Sequence, residues 1–95
     1  MIEDKTRVRR STDTASRIIG SEAIILTPLD GKLVTLNGTG ARIWELIAET
    51  QQVDRIADTL RAEYEVTPDI AAADVRAFLE DMLQRGMIAL ETADA

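Results

Sequence analysis

The spacing of hydrophobic residues changes once along this chain, at residues 37–40, and that change constrains the fold more than any other feature. Before it, short apolar segments are separated by glycine, proline and polar residues, a pattern typical of strands joined by turns. After it, apolar residues recur at intervals of three and four, the period of a helix that buries one face. This order predicts an α+β fold with a three-stranded antiparallel sheet followed by three helices, similar in outline to a winged helix-turn-helix.

The three predicted strands are residues 16–19, 23–27 and 32–36, separated by turns at 20–21 and 28–31. The middle segment contains the apolar run Ile24-Ile25-Leu26, which favours a central strand covered on both faces. The last segment alternates between two sets of side chains, which favours a strand at the sheet edge. The two sets are Lys32, Val34 and Leu36 against Leu33 and Thr35.

Local signals place the three predicted helices. The first covers residues 40–48, with Asn37 or Thr39 as its cap and Trp44 in its apolar stripe, where an aromatic residue is expected in the core. The stripe of the second helix is Val53, Ile56, Ala57, Leu60 and Tyr64, and Tyr64 is expected in the core like Trp44, with a ligand pocket as the alternative for both. The third helix starts with Thr67 as cap and Pro68 in the first helical position, and it stops at Gly86.

The remaining segments set the predicted domain limits. Residues 1–14 are polar, show neither period and are predicted to be a flexible N-terminal segment. Residues 15–90 form the domain, and residues 91–95 form a frayed tail. No apolar run approaches the roughly 20 residues that a membrane span requires. We therefore expect a cytoplasmic protein that has no membrane partner.

Composition argues against catalysis and against nucleic acid as a partner. The chain has no histidine and no cysteine, so the side chains best suited to proton transfer near neutral pH and to thiolate attack are missing. From Ile18 onward there are six basic and fourteen acidic residues, which would repel a polyanion. We expect no enzyme activity, no cofactor and no metal site.

Residues 30–46 carry the most distinctive pattern of the chain, DGKLVTLNGTGARIWEL, and its most specific part is LNxTGAxIW from Leu36 to Trp44. Further matching segments are VDRI from Val53, EYEV from Glu63, DVRAFL from Asp74 and RGMI from Arg85. Together they resemble the PqqD family over about residues 16–90. The family often has aromatic residues just after the second turn, where this chain has Leu33 and Val34, so its peptide preference is expected to differ.

The resemblance implies a RiPP recognition element, which binds the leader of a ribosomally made precursor peptide without catalysing a reaction. It would present the leader to a maturation enzyme, such as a radical SAM protein or a leader peptidase, in a PQQ-type, lasso-type or other pathway. In such domains the leader adds as a strand beside the third strand and faces the third helix. The peptide-binding residues implied on this chain are Lys32, Leu33, Val34, Thr35, Leu36, Asp74, Val75, Arg76, Phe78, Leu79, Asp81 and Met82.

These residues have different expected roles, and simpler interpretations stay open. Leu33, Val34 and Thr35 would pair with the leader strand. The apolar floor would be Val75, Phe78, Leu79 and Met82, although some of these are expected in the core. Lys32, Asp74, Arg76 and Asp81 would orient the leader by charge, or would simply be solvated.

A winged-helix DNA-binding regulator is the alternative function, with the basic N-terminal arm as its only support. The sequence leaves the oligomeric state open.

Overall fold

In a computed structural model that describes residues 2–12, 14–48 and 51–91, three antiparallel strands precede three helices, as predicted, in an α+β fold. The described part of the chain also contains three short strands beyond the three predicted ones, and the last of them falls where a short extended segment at residues 87–90 was expected on the core. In chain order the elements are β1 (Arg7–Arg10), β2 (Ala15–Ile19), β3 (Glu22–Leu26), β4 (Leu33–Leu36), α1 (Gly38–Ile47), β5 (Gln51–Gln52), α2 (Val53–Tyr64), α3 (Pro68–Gln84) and β6 (Ile88–Glu91). None of the helices in this part of the chain has the length and hydrophobicity that a membrane span requires.

The predicted sheet has the order β2-β3-β4, and all its pairs are antiparallel. Gly20 has a φ of +61°, which lets the chain turn tightly between β2 and β3. Side chains alternate along β3, where Ala23 and Ile25 are fully buried while Leu26 is exposed. One face of the sheet therefore packs on the core and the other is open, so the central position of this strand is confirmed but the prediction that both its faces are covered is wrong.

The prediction that residues 1–14 form a flexible segment is wrong for Arg7–Arg10, which form the central strand of a second sheet with the order β5-β1-β6. Ile2 and Val8 are buried in the core. This pairing joins residues about eighty positions apart, so a local hydrophobic pattern does not reveal it. Of the predicted tail 91–95, Glu91 ends β6 and the rest lies outside the described residues.

The helices follow the predicted signals with small differences at their ends. At α3, the Thr67 Oγ1 accepts a hydrogen bond from the N–H of Ile70 at 3.3 Å, and Pro68 takes the first helical position, as predicted. α1 begins at Gly38, two residues earlier than predicted, and Asn37 occupies the cap position without a side-chain hydrogen bond. Gly86 has a φ of +73°, the left-handed conformation expected after the end of α3.

Trp44 lies at the centre of the core and is fully buried, as predicted, whereas the same prediction is wrong for Tyr64, which is exposed at the end of α2. Its Nε1–H donates to Ser16 Oγ at 3.1 Å. The Arg10 guanidinium stacks 4.5 Å from the centroid of the indole and donates from Nη2 to the Trp44 carbonyl at 2.7 Å. Trp44 thereby joins α1 to β1 and β2, one strand from each sheet.

Candidate functional site

β4 has a free edge, because within the described residues it pairs only with β3. The N–H of Thr27 donates to the Lys32 carbonyl at 2.8 Å, which makes Thr27 and Lys32 a hydrogen-bonded pair just before β4. Hydrogen-bonded and non-hydrogen-bonded pairs alternate along an antiparallel ladder. With the observed register, Val34 and Leu36 therefore direct their backbone groups towards β3, which corrects the prediction that Val34 pairs with the leader.

Leu33 and Thr35 belong to the non-hydrogen-bonded pairs of this ladder. Their N–H and C=O groups therefore point away from β3, towards the free edge. Both residues are exposed, and Leu33 retains 71% of its accessible surface. The predicted edge position of this strand is confirmed. Two donors and two acceptors are thus available to an added strand.

The turn before β4 is fixed by a buried threonine. Thr27 Oγ1 donates to Asp30 Oδ1 and accepts a hydrogen bond from the N–H of Lys32 at 3.1 Å. The bond from Thr27 lowers the pKa of the Asp30 carboxyl below its ordinary value. Because this network sets the direction in which the chain enters β4, it also positions the free edge.

α3 lies beside β4 and forms the second wall of the site. Phe78 and Leu36 both lie close to Gly40, with Phe78 Cε1 3.3 Å from the point where a Cβ would stand. At the other end, Lys32 and Val34 share a cavity of about 260 Å³ with Gln84 and Arg85. We define the cleft as the free edge of β4 together with the face of α3 that carries Asp74, Phe78, Asp81 and Arg85.

Three residues predicted for the apolar floor lie beneath the cleft instead. Val75, Leu79 and Met82 are fully buried in the core, so direct contact with a peptide is incompatible with their positions. At 100° per residue, these three lie rotated towards the interior relative to Phe78. Phe78 is half-buried and packs against the core, and it is the member of the predicted floor that reaches the cleft.

Arg76 also lies away from the cleft, contrary to its predicted role. Its Nη2 is 2.9 Å from Asp4 Oδ1, and both residues line a separate depression with Ile2 and Glu80. Position 76 is 200° around the helix from position 78, which accounts for its opposite direction. Arg76 pairs with Asp4 of the N-terminal segment instead.

The charges of the cleft differ between its two ends. Asp81 Oδ1 lies 3.2 Å from Arg85 Nε, so these two charges largely compensate each other. Sequence reasoning missed Arg85, although its spacing of four residues from Asp81 is the signal of a helix ion pair. Lys32 and Asp74 are both exposed and have no ion-pair partner among the described residues. In that part of the chain, no group of three or more acidic side chains is arranged to hold a metal ion.

A free strand edge beside a helix is the geometry with which many domains accept an extended segment. The family model described as coenzyme PQQ synthesis protein D (PqqD) matches residues 22–88. The chain belongs to the PqqD family. No curated protein sequence is similar enough to the chain to count as a relative.

Three solved structures share the fold. The chain is 29% identical to TbiB1, solved in complex with the TbiA(beta) leader peptide, with a TM-score of 0.81 over 90% of this chain and 99% of that one. A lasso peptide synthetase B1 complexed with its leader peptide is 23% identical, with a TM-score of 0.76 over 86% and 96%. The PqqD truncation of Methylobacterium extorquens PqqCD, described as a stand-alone RiPP recognition element, is 19% identical, with a TM-score of 0.76 over 94% and 95%.

Proposed function

We propose that this chain binds the leader of a ribosomally made precursor peptide and presents it to a maturation enzyme, without catalysing a reaction. The observation that carries the proposal is the free edge of β4, where Leu33 and Thr35 offer unpaired backbone groups beside α3. The likeness to TbiB1, solved with a leader peptide, supports it. A cytoplasmic location follows from the proposal, because ribosomes supply the precursor there.

In this proposal the leader extends the β2-β3-β4 sheet by one strand. Backbone hydrogen bonds to Leu33 and Thr35 supply affinity that depends little on sequence. Side chains on one face of the added strand would point towards Phe78 and the charged residues of α3, and those contacts would select the leader. Lys32 and Arg85 lie at one end of this path and Asp74 at the other.

The DNA-binding alternative loses its support in the structure. Two arginines of the basic N-terminal arm face Glu91, with Arg9 Nε 3.6 Å and Arg7 Nε 4.0 Å from its carboxylate, and Arg10 stacks on Trp44. The exposed charges of α3 are mainly acidic, which opposes contact with phosphates. We therefore propose no nucleic-acid partner.

The test is an NMR titration of the labelled protein with the leader of the precursor encoded beside its gene, and with a DNA duplex in a separate sample. We expect the largest amide shifts at Leu33 and Thr35 and along the cleft face of α3, and no shifts with DNA. Binding of the leader with shifts confined to the β5-β1-β6 sheet would overturn the proposal. DNA-induced shifts along α3 would support the regulator instead.

A further inference from the structure

A small apolar cavity lies beyond the end of the free edge. It has a volume of about 210 Å³ and is enclosed by α1, α2 and α3. Ile43, Leu60 and Ala71 line it and are buried, whereas Tyr64 lines it and is 43% exposed. This volume is below the roughly 300–1,000 Å³ of small-molecule sites, so the cavity suits a single side chain.

The cavity is in line with the path proposed for the leader. Gly40, in the first turn of α1, lines the cavity four residues after Leu36, the last residue of β4. Phe78 lines the cavity, and its Cε1 lies 3.3 Å from the point where a Gly40 Cβ would stand, a point that Leu36 also approaches, so the cavity borders the cleft beside β4. A peptide that pairs with β4 and extends past Leu36 would place its next residue at the cavity.

Among the described residues that line this cavity, Asp74 is the one that carries a charge. It is exposed and has no hydrogen-bond or ion-pair partner among the described residues. Glu63, which precedes the lining residue Tyr64 in the sequence, already has a partner. Its carboxylate accepts hydrogen bonds from the Arg42 guanidinium at 2.8 and 2.9 Å. Asp74 thus carries an uncompensated negative charge at an apolar opening.

We infer that this cavity selects leaders that carry a lysine or arginine just beyond the strand paired with β4 on its Leu36 side. This inference rests on the proposed function and names a feature of its substrate. The aliphatic stem of such a residue would pack against Phe78, Ala77 and Ile43, while its cation would pair with Asp74.

A cation explains the site better than a neutral side chain does. When a peptide covers Asp74, the carboxylate loses water, and that loss is unfavourable unless an opposite charge replaces the water. A tyrosine hydroxyl would donate one hydrogen bond to the carboxylate but would leave its negative charge without an opposite charge. The acidic surroundings also attract a basic segment, since residues from Ile18 onward include fourteen acidic and six basic ones.

The test starts from a display library of short random peptides, selected in parallel on the wild-type protein and on Asp74→Asn. Glu80→Gln is the matched control, because it removes the same charge from α3 at a position that lines the depression beside Arg76 instead. We expect lysine or arginine to be enriched at one flanking position with the wild type and Glu80→Gln, and not with Asp74→Asn.

Synthetic peptides from the enriched set then measure the effect. Replacing the basic residue by glutamate, or Asp74 by asparagine, should weaken binding about two- to fivefold at low salt. Pairing the glutamate peptide with Asp74→Lys should restore most of the affinity. Circular dichroism shows whether each variant is folded.

The possible failures are distinguishable. In one case the selected peptides shift the amides of Leu33 and Thr35, but their flanking position prefers an aromatic or aliphatic residue, or none, and Asp74→Asn does not change this. That result overturns the inference and leaves the proposed function standing. If no selected peptide shifts those amides, the strand-addition proposal fails and this inference fails with it.

Discussion

Replacing Thr35 by proline tests the free edge of β4 without disturbing the hydrogen bonds of the sheet. The N–H of Thr35 points away from β3, so proline removes a donor from the free edge without breaking a hydrogen bond of the sheet. A carbonyl of the bound leader would then stay unpaired, which costs about 1–3 kcal/mol. At 1.4 kcal/mol per tenfold, leader affinity should fall roughly five- to a hundredfold.

Val34→Pro is the matched contrast, one residue earlier in the same strand. The N–H of Val34 points towards Ile25 of β3, so proline here removes a hydrogen bond within the sheet. We expect the free energy of unfolding to fall by about 1–3 kcal/mol, whereas Thr35→Pro should change it much less. Urea denaturation measures the stability of both variants, and isothermal titration with the leader measures affinity.

Two results would refute this reasoning. A folded Thr35→Pro variant that binds the leader as tightly as the wild type would show that the free edge of β4 does not pair with the peptide. Equal losses of stability in Thr35→Pro and Val34→Pro would show that the hydrogen-bond alternation along β4 is assigned wrongly.

Three further predictions concern stability. Trp44→Ala should lower the free energy of unfolding by about 3–5 kcal/mol in urea denaturation, because it empties the centre of the core; a normal melting temperature would contradict this. The Arg42 hydrogen bond lowers the pKa of Glu63 below its ordinary 4.5, so wild type should lose stability relative to Glu63→Gln as the pH falls below about 4.5, with a constant difference above it. An unchanged difference at low pH would refute this. Gly86→Ala should destabilise by about 1–2 kcal/mol, owing to the positive φ and to a Cβ 2.8 Å from Leu29 Cγ. Adding Leu29→Ala should restore part of that loss in thermal denaturation, and no restoration would exclude the contact.

Local sequence signals predicted the parts of the fold that depend on neighbouring residues. Thr67 and Pro68 marked the start of α3 because capping acts within one turn, and Gly20 marked a hairpin because tight turns need a positive φ. β1 was missed for the opposite reason. Arg7–Arg10 contain one fully buried residue, Val8, and the strand forms only through pairing with β5 and β6.

The sequence predicted the strand side of the candidate site more accurately than its helix side. The alternation in β4 indicated its edge position, but the apolar stripe of α3 is wider than the face that reaches the cleft. Val75, Leu79 and Met82 belong to the same stripe as Phe78, and only tertiary packing separates buried members from accessible ones. For the same reason Arg76 was predicted in the cleft, because it lies between Asp74 and Phe78 in the sequence, although its side chain points to Asp4.

Amide hydrogen exchange at Leu33 and Thr35, measured with and without saturating leader peptide, tests strand addition to β4 most directly. Both amides face the free edge, so they should exchange fast in the free protein and slow in the complex. Val34 and Leu36 point into the sheet and should be protected in both states. Fast exchange at Leu33 and Thr35 in a saturated complex would contradict the account and move the peptide site away from β4.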